Sequence, residues 1–347
     1  MVSREARFLA TDNIPALLRR LGNTYRVFAP VKVSDTIVLF QEFAESAGLA
    51  LDEQTTLPPK ELLFPQTEGL VSYRYRKDAE DLEKSEVQVE ETLEAPPTII
   101  FGVRPCDARG LTVFDAVFTD GQWRDPYYKA RREATTIVTV LCTQPESTCF
   151  CTSVGGSPTG IEGSDIILTI VTGGYVAEPV TEKGETLLQD EAFTPAGDKA
   201  GEAGEAREKV SVERELELDG IAEQLLDIFG TDFWEQVTAK CISCAACTYV
   251  CPTCFCFTIT DDTTGIEGSR IRTWDSCMFY LYTLEASGHN PRPTKTERYR
   301  NRIGHKFSYH PTSYEGMFGC SGCGRCIKVC PASLDIRQVL REAKAHG

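Results

Sequence analysis

Two cysteine runs of identical spacing constrain this chain more than any other feature. Cys241, Cys244, Cys247 and Cys251 precede Pro252, and Cys320, Cys323, Cys326 and Cys330 precede Pro331. Each reads C-x2-C-x2-C-x3-C-P, the ligand run of bacterial two-cluster ferredoxins. In such a run the first three cysteines wrap one [4Fe-4S] cube, while the x3 step and the proline carry the fourth to the neighbouring cube. The spacing predicts one cluster on Cys241, Cys244, Cys247 and Cys330 and a second on Cys320, Cys323, Cys326 and Cys251. Structural zinc is the alternative, because C-x2-C pairs also make zinc knuckles. A tetrahedral ion, however, has no use for the third x2 step or the Cys-Pro.

The chain has 347 residues, which suggests two domains, and its 15 cysteines are an odd number outside any small secreted scaffold. Metal clusters account for them better than disulfides. The first residues, MVSREARFLATDNIPALLRRLG, scatter charge without an apolar core, so no signal peptide is expected. No apolar run approaches the ~18 residues of a membrane span, and the expected location is cytoplasmic. The net charge of -15 is concentrated in residues 78–94 and 178–219, which read as solvated acidic insertions. Nucleic-acid binding has no support.

The pattern predicts an α+β protein. An N-terminal α/β-type domain with a small mixed sheet spans residues 1–177, an acidic insertion or linker spans 178–219, and a mostly helical dicluster ferredoxin-like domain spans 220–347. Within the first domain, Asp12 is placed to cap a helix carrying Ile14, Leu17, Leu18 and Leu21 and ending near Gly22. Strands are expected at Tyr25–Val33, Thr98–Val103, Thr135–Leu141 and Ile166–Val171, and a helical pattern at Leu111–Phe118. Helices are expected at Gly220–Trp234, around Phe279–Leu284 and after Pro331.

Seven further cysteines lie outside the two runs. Cys106, Cys142, Cys149 and Cys151 fall at expected strand ends and turns, where open sheets present their chemistry. Four thiols suffice for a third [4Fe-4S] cluster; small buried hydrophobes are the alternative. Cys254, Cys256 and Cys277 are one ligand short of a site and read as packing beside the clusters, a fourth site being the alternative.

Arg292, Lys295, Arg298, Arg300, Arg302 and Lys306, opposed only by Glu297, make a local +5. This run suits a solvated face, a partner-docking surface, or compensation of anionic clusters. His289, His305, His310 and His346 lack metal-type spacing. No G-x-G-x-x-G or G-x-x-x-x-G-K-[ST] is present, so no nucleotide site and no catalytic residue is expected on this chain.

The blocks FGVRPCDARGL from Phe101, CTQPESTCFCTSVGGSPTG from Cys142, RTWDSCMF from Arg272, SGHNPRP from Ser287 and GCSGCGRCIKVCPASLDIRQVL from Gly319 resemble the beta subunit of cytoplasmic sulfhydrogenases. The iron-sulfur electron-transfer subunit of anaerobic sulfite reductase is similar to the same pattern. The resemblance implies a relay between a flavoprotein subunit that binds FAD and NAD(P)H and a catalytic oxidoreductase subunit that works on hydrogen, sulfite, or sulfur and disulfides. A zinc-stabilised scaffold, or a subunit with its own flavin and catalytic site, are the rival readings.

Overall fold

The computed structural model describes residues 5–46, 48–81, 83–212 and 216–346. Twelve strands form two sheets among these residues. The larger contains β1 (Arg7–Ala10), β2 (Arg26–Ser34), β3 (Ile37–Glu42), β6 (Thr98–Val103), β7 (Thr135–Val140), β8 (Ile166–Val171), β9 (Gly174–Pro179) and β10 (Phe193–Pro195), in the order β10-β1-β9-β8-β7-β6-β2-β3. β2, β6, β7 and β8 run parallel at its centre, and the outer pairings are antiparallel.

β6 and β7 are buried along their whole length, as β-branched parallel strands covered on both faces must be. Alternate residues separate onto two faces. Ile99, Phe101, Val138 and Val140 pack with Leu17 and Leu18 of the helix Ile14–Leu21. Ile100 and Ile137 face Leu111, Phe114 and Tyr128 under the helices Pro105–Phe118 and Pro126–Ala134. The expected strands at 98–103 and 166–171 match the observed bounds. Asp12, by contrast, lies in a 3-10 turn and makes no side-chain cap.

Two expectations need correcting. The stretch 178–219, read as an acidic insertion or linker, holds a helix at Glu182–Leu187, β10 on the sheet edge beside β1, and a helix at Lys199–Glu208. Residues 213–215 of it lie outside the described residues. The sheet is accordingly larger than the small one expected.

The C-terminal half is also less helical than its cysteine spacing suggests. β11 (Phe257–Thr264) and β12 (Glu267–Trp274) form a hairpin that pairs with β4 (Thr67–Lys77) and β5 (Ser85–Glu91) in an antiparallel order β11-β12-β4-β5. Residues 279–284 hold only a 3-10 turn, Leu281–Thr283. Arg272 of β12 fastens this sheet to the core: it donates to Glu68 of β4 at 2.7 Å and also bonds Asp125, while Arg131 reaches Glu68 at 2.7 Å.

The remaining core gathers helices Ile221–Asp227, Phe233–Thr238, Lys295–Gly304 and Ile336–Ala345 around Trp234, Ile303, Phe307 and Leu340. Phe150 and Val154, from the N-terminal half, insert into it.

Candidate metal centres

The two cysteine runs fold into the same local shape. Counting from the first cysteine, the third and fifth residues of each run have left-handed backbone: Ser243 and Ala245 at φ 55° and 61°, Gly322 and Gly324 at φ 67° and 76°. A one-turn helix follows each, at Ala246–Tyr249 and Arg325–Lys328. The amide of Ser243 points at the Cys241 sulfur (3.5 Å) and that of Gly322 at the Cys320 sulfur (3.4 Å). Left-handed backbone lets a short loop turn its amides and thiols inward, at a cost of about 1–3 kcal/mol where the residue is not glycine.

Ala245→Gly is therefore expected to leave stability unchanged or raise it by up to ~1 kcal/mol. Gly324→Ala is expected to lose ~2 kcal/mol or more, because its added Cβ would lie 2.6 Å from the Thr148 carbonyl oxygen. Denaturant midpoints of the two anaerobically purified variants test this opposition of sign.

The first nest is a cavity of 30 Å³ lined by Cys241, Cys244, Cys247 and Cys330, with Met278, Tyr299 and Arg302 on its walls. The fourth cysteine of the second run thus lies with the first three of the other run. Cys244 and Ile242 are exposed, so this nest reaches the surface.

The middle nest is the most deeply buried of the three. Cys251, Cys320 and Cys323 are buried and Cys326 is partly buried, and the Cys251 thiol interacts electrostatically with the other three. Burial pushes the Cys323 and Cys326 thiols up to about 12. Without a bound cation these would be neutral thiols at pH 7; a ligated iron draws the proton off.

Lys60, Arg302 and Lys306 surround these sulfurs at 3%, 3% and 4% exposure. Among the described residues no carboxylate forms a salt bridge with any of the three. Arg302 Nε has no hydrogen-bond partner. Stranding bare cations in a protein interior costs several kcal/mol each. An anionic group seated among the thiolates would supply the missing countercharge, so the residues present fit a [4Fe-4S] cube better than a set of neutral thiols.

The third nest lies at the carboxyl ends of two adjacent parallel strands. β6 leads through Arg104 and Pro105 to Cys106 in the first turn of the following helix, and β7 leads to Cys142. Cys149 and Cys151 come from the loop after β7. All four line one cavity of 360 Å³, with Cys323 on its wall and the exposed Thr36, Asp52, Glu53 and Gln144 at its rim. Burial pushes the Cys142 thiol up to about 11 and that of Cys151 up to about 12.

The third and middle nests are locked together. The Phe150 amide donates to the Gly322 carbonyl at 2.9 Å, and a Cβ on Gly322 would meet the Cys151 backbone at 2.5 Å. Arg325, fully buried, donates to both Asp107 carboxylate oxygens at 2.5 and 2.8 Å and to the Thr55 carbonyl at 2.7 Å. Arg109 donates to the Cys320 and Val154 carbonyls, and Arg337 to that of Ser147.

Cys254, Cys256 and Cys277 pack beside the middle nest. Cys254 shares a hydrogen bond with Cys251, and Cys256 is hydrogen-bonded to Cys277 and Tyr282, which holds the Cys256 thiol down at about 6. Among the described residues no three His, Cys, Asp or Glu side chains crowd round a single point as ligands of one ion do.

The basic run divides by helical face. Arg298, Arg302 and Lys306, four residues apart, turn inward, whereas Arg300 stacks outside on Phe229. The i, i+4, i+8 spacing is the sequence signal for this stripe. Lys60, from a distant segment, carries no such signal. His310 Nδ1 donates to the Met317 carbonyl (2.8 Å), and His346 packs on Phe233; neither lies in a nest.

A family signature described as a 4Fe-4S dicluster domain matches residues 240–334. Over 343 residues the chain is 32% identical to sulfhydrogenase 2 subunit beta of Pyrococcus furiosus, with 97% of each chain covered. The chain belongs to the sulfhydrogenase beta-subunit family. No solved structure matches it. This family member is an iron-sulfur protein with a 4Fe-4S dicluster domain, and the match extends through the N-terminal sheet as well as the cysteine runs. Among the described residues no helix is long and apolar enough to cross a membrane.

Proposed function

We propose that this chain is the electron-transfer subunit of a cytoplasmic anaerobic oxidoreductase complex, relaying electrons between a flavoprotein subunit that handles NAD(P)H and a catalytic hydrogenase, sulfite or sulfur reductase subunit. Three [4Fe-4S] clusters would be held by Cys241, Cys244, Cys247 and Cys330, by Cys320, Cys323, Cys326 and Cys251, and by Cys106, Cys142, Cys149 and Cys151. When bound, such clusters exchange single electrons.

The observation that carries this reading is the arrangement of the nests in a row. Cys323 lines the third cavity with Cys106, and Cys326 lines the first with Cys247, so the middle nest adjoins both others. It is buried, whereas the outer two reach the surface at Cys244 and at the rim of the third cavity. Such a row suits passage from one docked partner to another through a dry interior. The chain's own residues position the thiols, exclude water and supply buried positive charge.

Iron and acid-labile sulfide analysis of anaerobically purified chain tests the proposal. About twelve irons and twelve sulfides per chain are expected from three cubes. Colourless protein containing zinc and no sulfide would establish the scaffold alternative instead, and tightly bound flavin on the isolated chain would favour a catalytic role.

A further inference from the structure

Lys306 belongs to a five-residue π-helix, His305–Tyr309, that continues the helix Lys295–Gly304. Wide turns of this kind are rare and gather at functional sites, where they re-aim a side chain. Here the turn brings the ammonium into the middle nest. Lys306 Nζ lies 3.3 Å from the Cys251 sulfur, 3.0 Å from Thr253 Oγ1 and 2.8 Å from the Gly319 carbonyl oxygen. Three contacts use all three donors of an ammonium, so its place is fixed.

Thr253 adds a second tie, with its hydroxyl 3.1 Å from the Cys251 sulfur and donating to the Gly319 carbonyl at 2.8 Å. The lysine therefore joins the last cysteine of one run to the residue preceding the first cysteine of the other.

We infer that Lys306 sets the reduction potential of the middle site, holding it higher than the four thiolates alone would. The inference rests on the function proposed above. Reduction adds one negative charge and breaks no bond, so a fixed cation and its N–H···S contact stabilise the reduced state more than the oxidised one. Burial keeps salt from screening the effect. Lys60 is the contrasting case: its ammonium donates to the Cys254 carbonyl at 2.9 Å and stands over the Trp274 ring at 4.0 Å, and among the described residues it makes no hydrogen bond to a ligand sulfur.

The test is a dithionite redox titration of the full chain, followed by electron paramagnetic resonance, with iron analysis of the same samples. Lys306→Met is expected to keep its iron and lower the reduction equilibrium constant of one cluster at least tenfold, about 59 mV for one electron. The other signals should stay within threefold. Lys306→Arg, which retains the charge, should remain within threefold of wild type, and Thr253→Val should lower the same cluster by threefold or more.

Intact iron with every potential within threefold in Lys306→Met overturns the inference, as does an equal shift in Lys306→Arg. Should Lys306→Met fail to take up iron, Thr253→Val decides, and an unmoved potential there overturns the inference. A wild-type chain without iron overturns the proposed function and the inference together; intact clusters with unmoved potentials overturn the inference alone.

Discussion

Replacing Cys149 or Cys151 by Ser is expected to remove about four irons and four sulfides per chain, leaving the clusters of the two C-x2-C-x2-C-x3-C-P runs in place. Both thiols line the cavity they share with Cys106 and Cys142. A serine hydroxyl is far less acidic than a thiol and a harder, poorer iron ligand. The loop itself should survive, because its anchor to the second run is the backbone bond from Phe150 to Gly322 rather than either thiol. Unchanged iron in both variants would mean that these cysteines are ordinary buried side chains. Loss of about eight irons would mean that the middle nest cannot assemble without the third.

Arg325→Leu should destabilise the chain by about 3–5 kcal/mol, the usual cost of removing one partner from a buried ion pair. Arg325 and Asp107 are each 1% exposed, and the guanidinium fork meets both carboxylate oxygens as well as Thr55. Without it the Asp107 carboxylate is left bare beside Cys106. The pair also joins the third nest to the middle one, since Asp107 adjoins Cys106 and Arg325 precedes Cys326. The double variant Arg325→Leu/Asp107→Leu should recover a large part of the loss, because no charge then remains unpaired. Chemical denaturation under anaerobic conditions measures both. A loss below ~1 kcal/mol in the single variant would show that the pair contributes no more than a surface bridge.

The cysteine chemistry is legible because ligand spacing is local. The x2 and x3 steps and the prolines can be read without a fold, whereas Cys106, Cys142, Cys149 and Cys151 come to line one cavity only through the strand ends and the loop that carry them. The parallel strands are legible for a similar reason: Thr98–Val103 and Ile166–Val171 are short, β-branched and bounded by turn residues.

What cannot be read depends on distant partners. β4 and β5 alternate Tyr73 and Tyr75 against Val89 and Val87, but β5 is wholly exposed; the other partner of β4 is β12, distant in the chain, where Arg272 and Glu68 meet across 204 residues. Lys60 looks like any surface lysine until Cys254 and Trp274 close over it. The acidic composition of 178–219 hides its structure. The few apolar residues there, such as Phe193 and Ala203, are spent on the sheet edge and the helix that covers it.

The hairpin β11-β12 has a consequence for how this protein can be divided. It arises in the cysteine-rich half yet completes its ladder on β4, so cutting between the halves would bare the edge of β4 on one fragment and of β12 on the other. Open edges of that length invite pairing with any available strand. The two halves are thus not interchangeable modules: a gene fusion or an expression fragment that keeps only the ferredoxin-like portion inherits an adhesive flank, and co-inheritance of both portions is the arrangement that keeps either one well behaved.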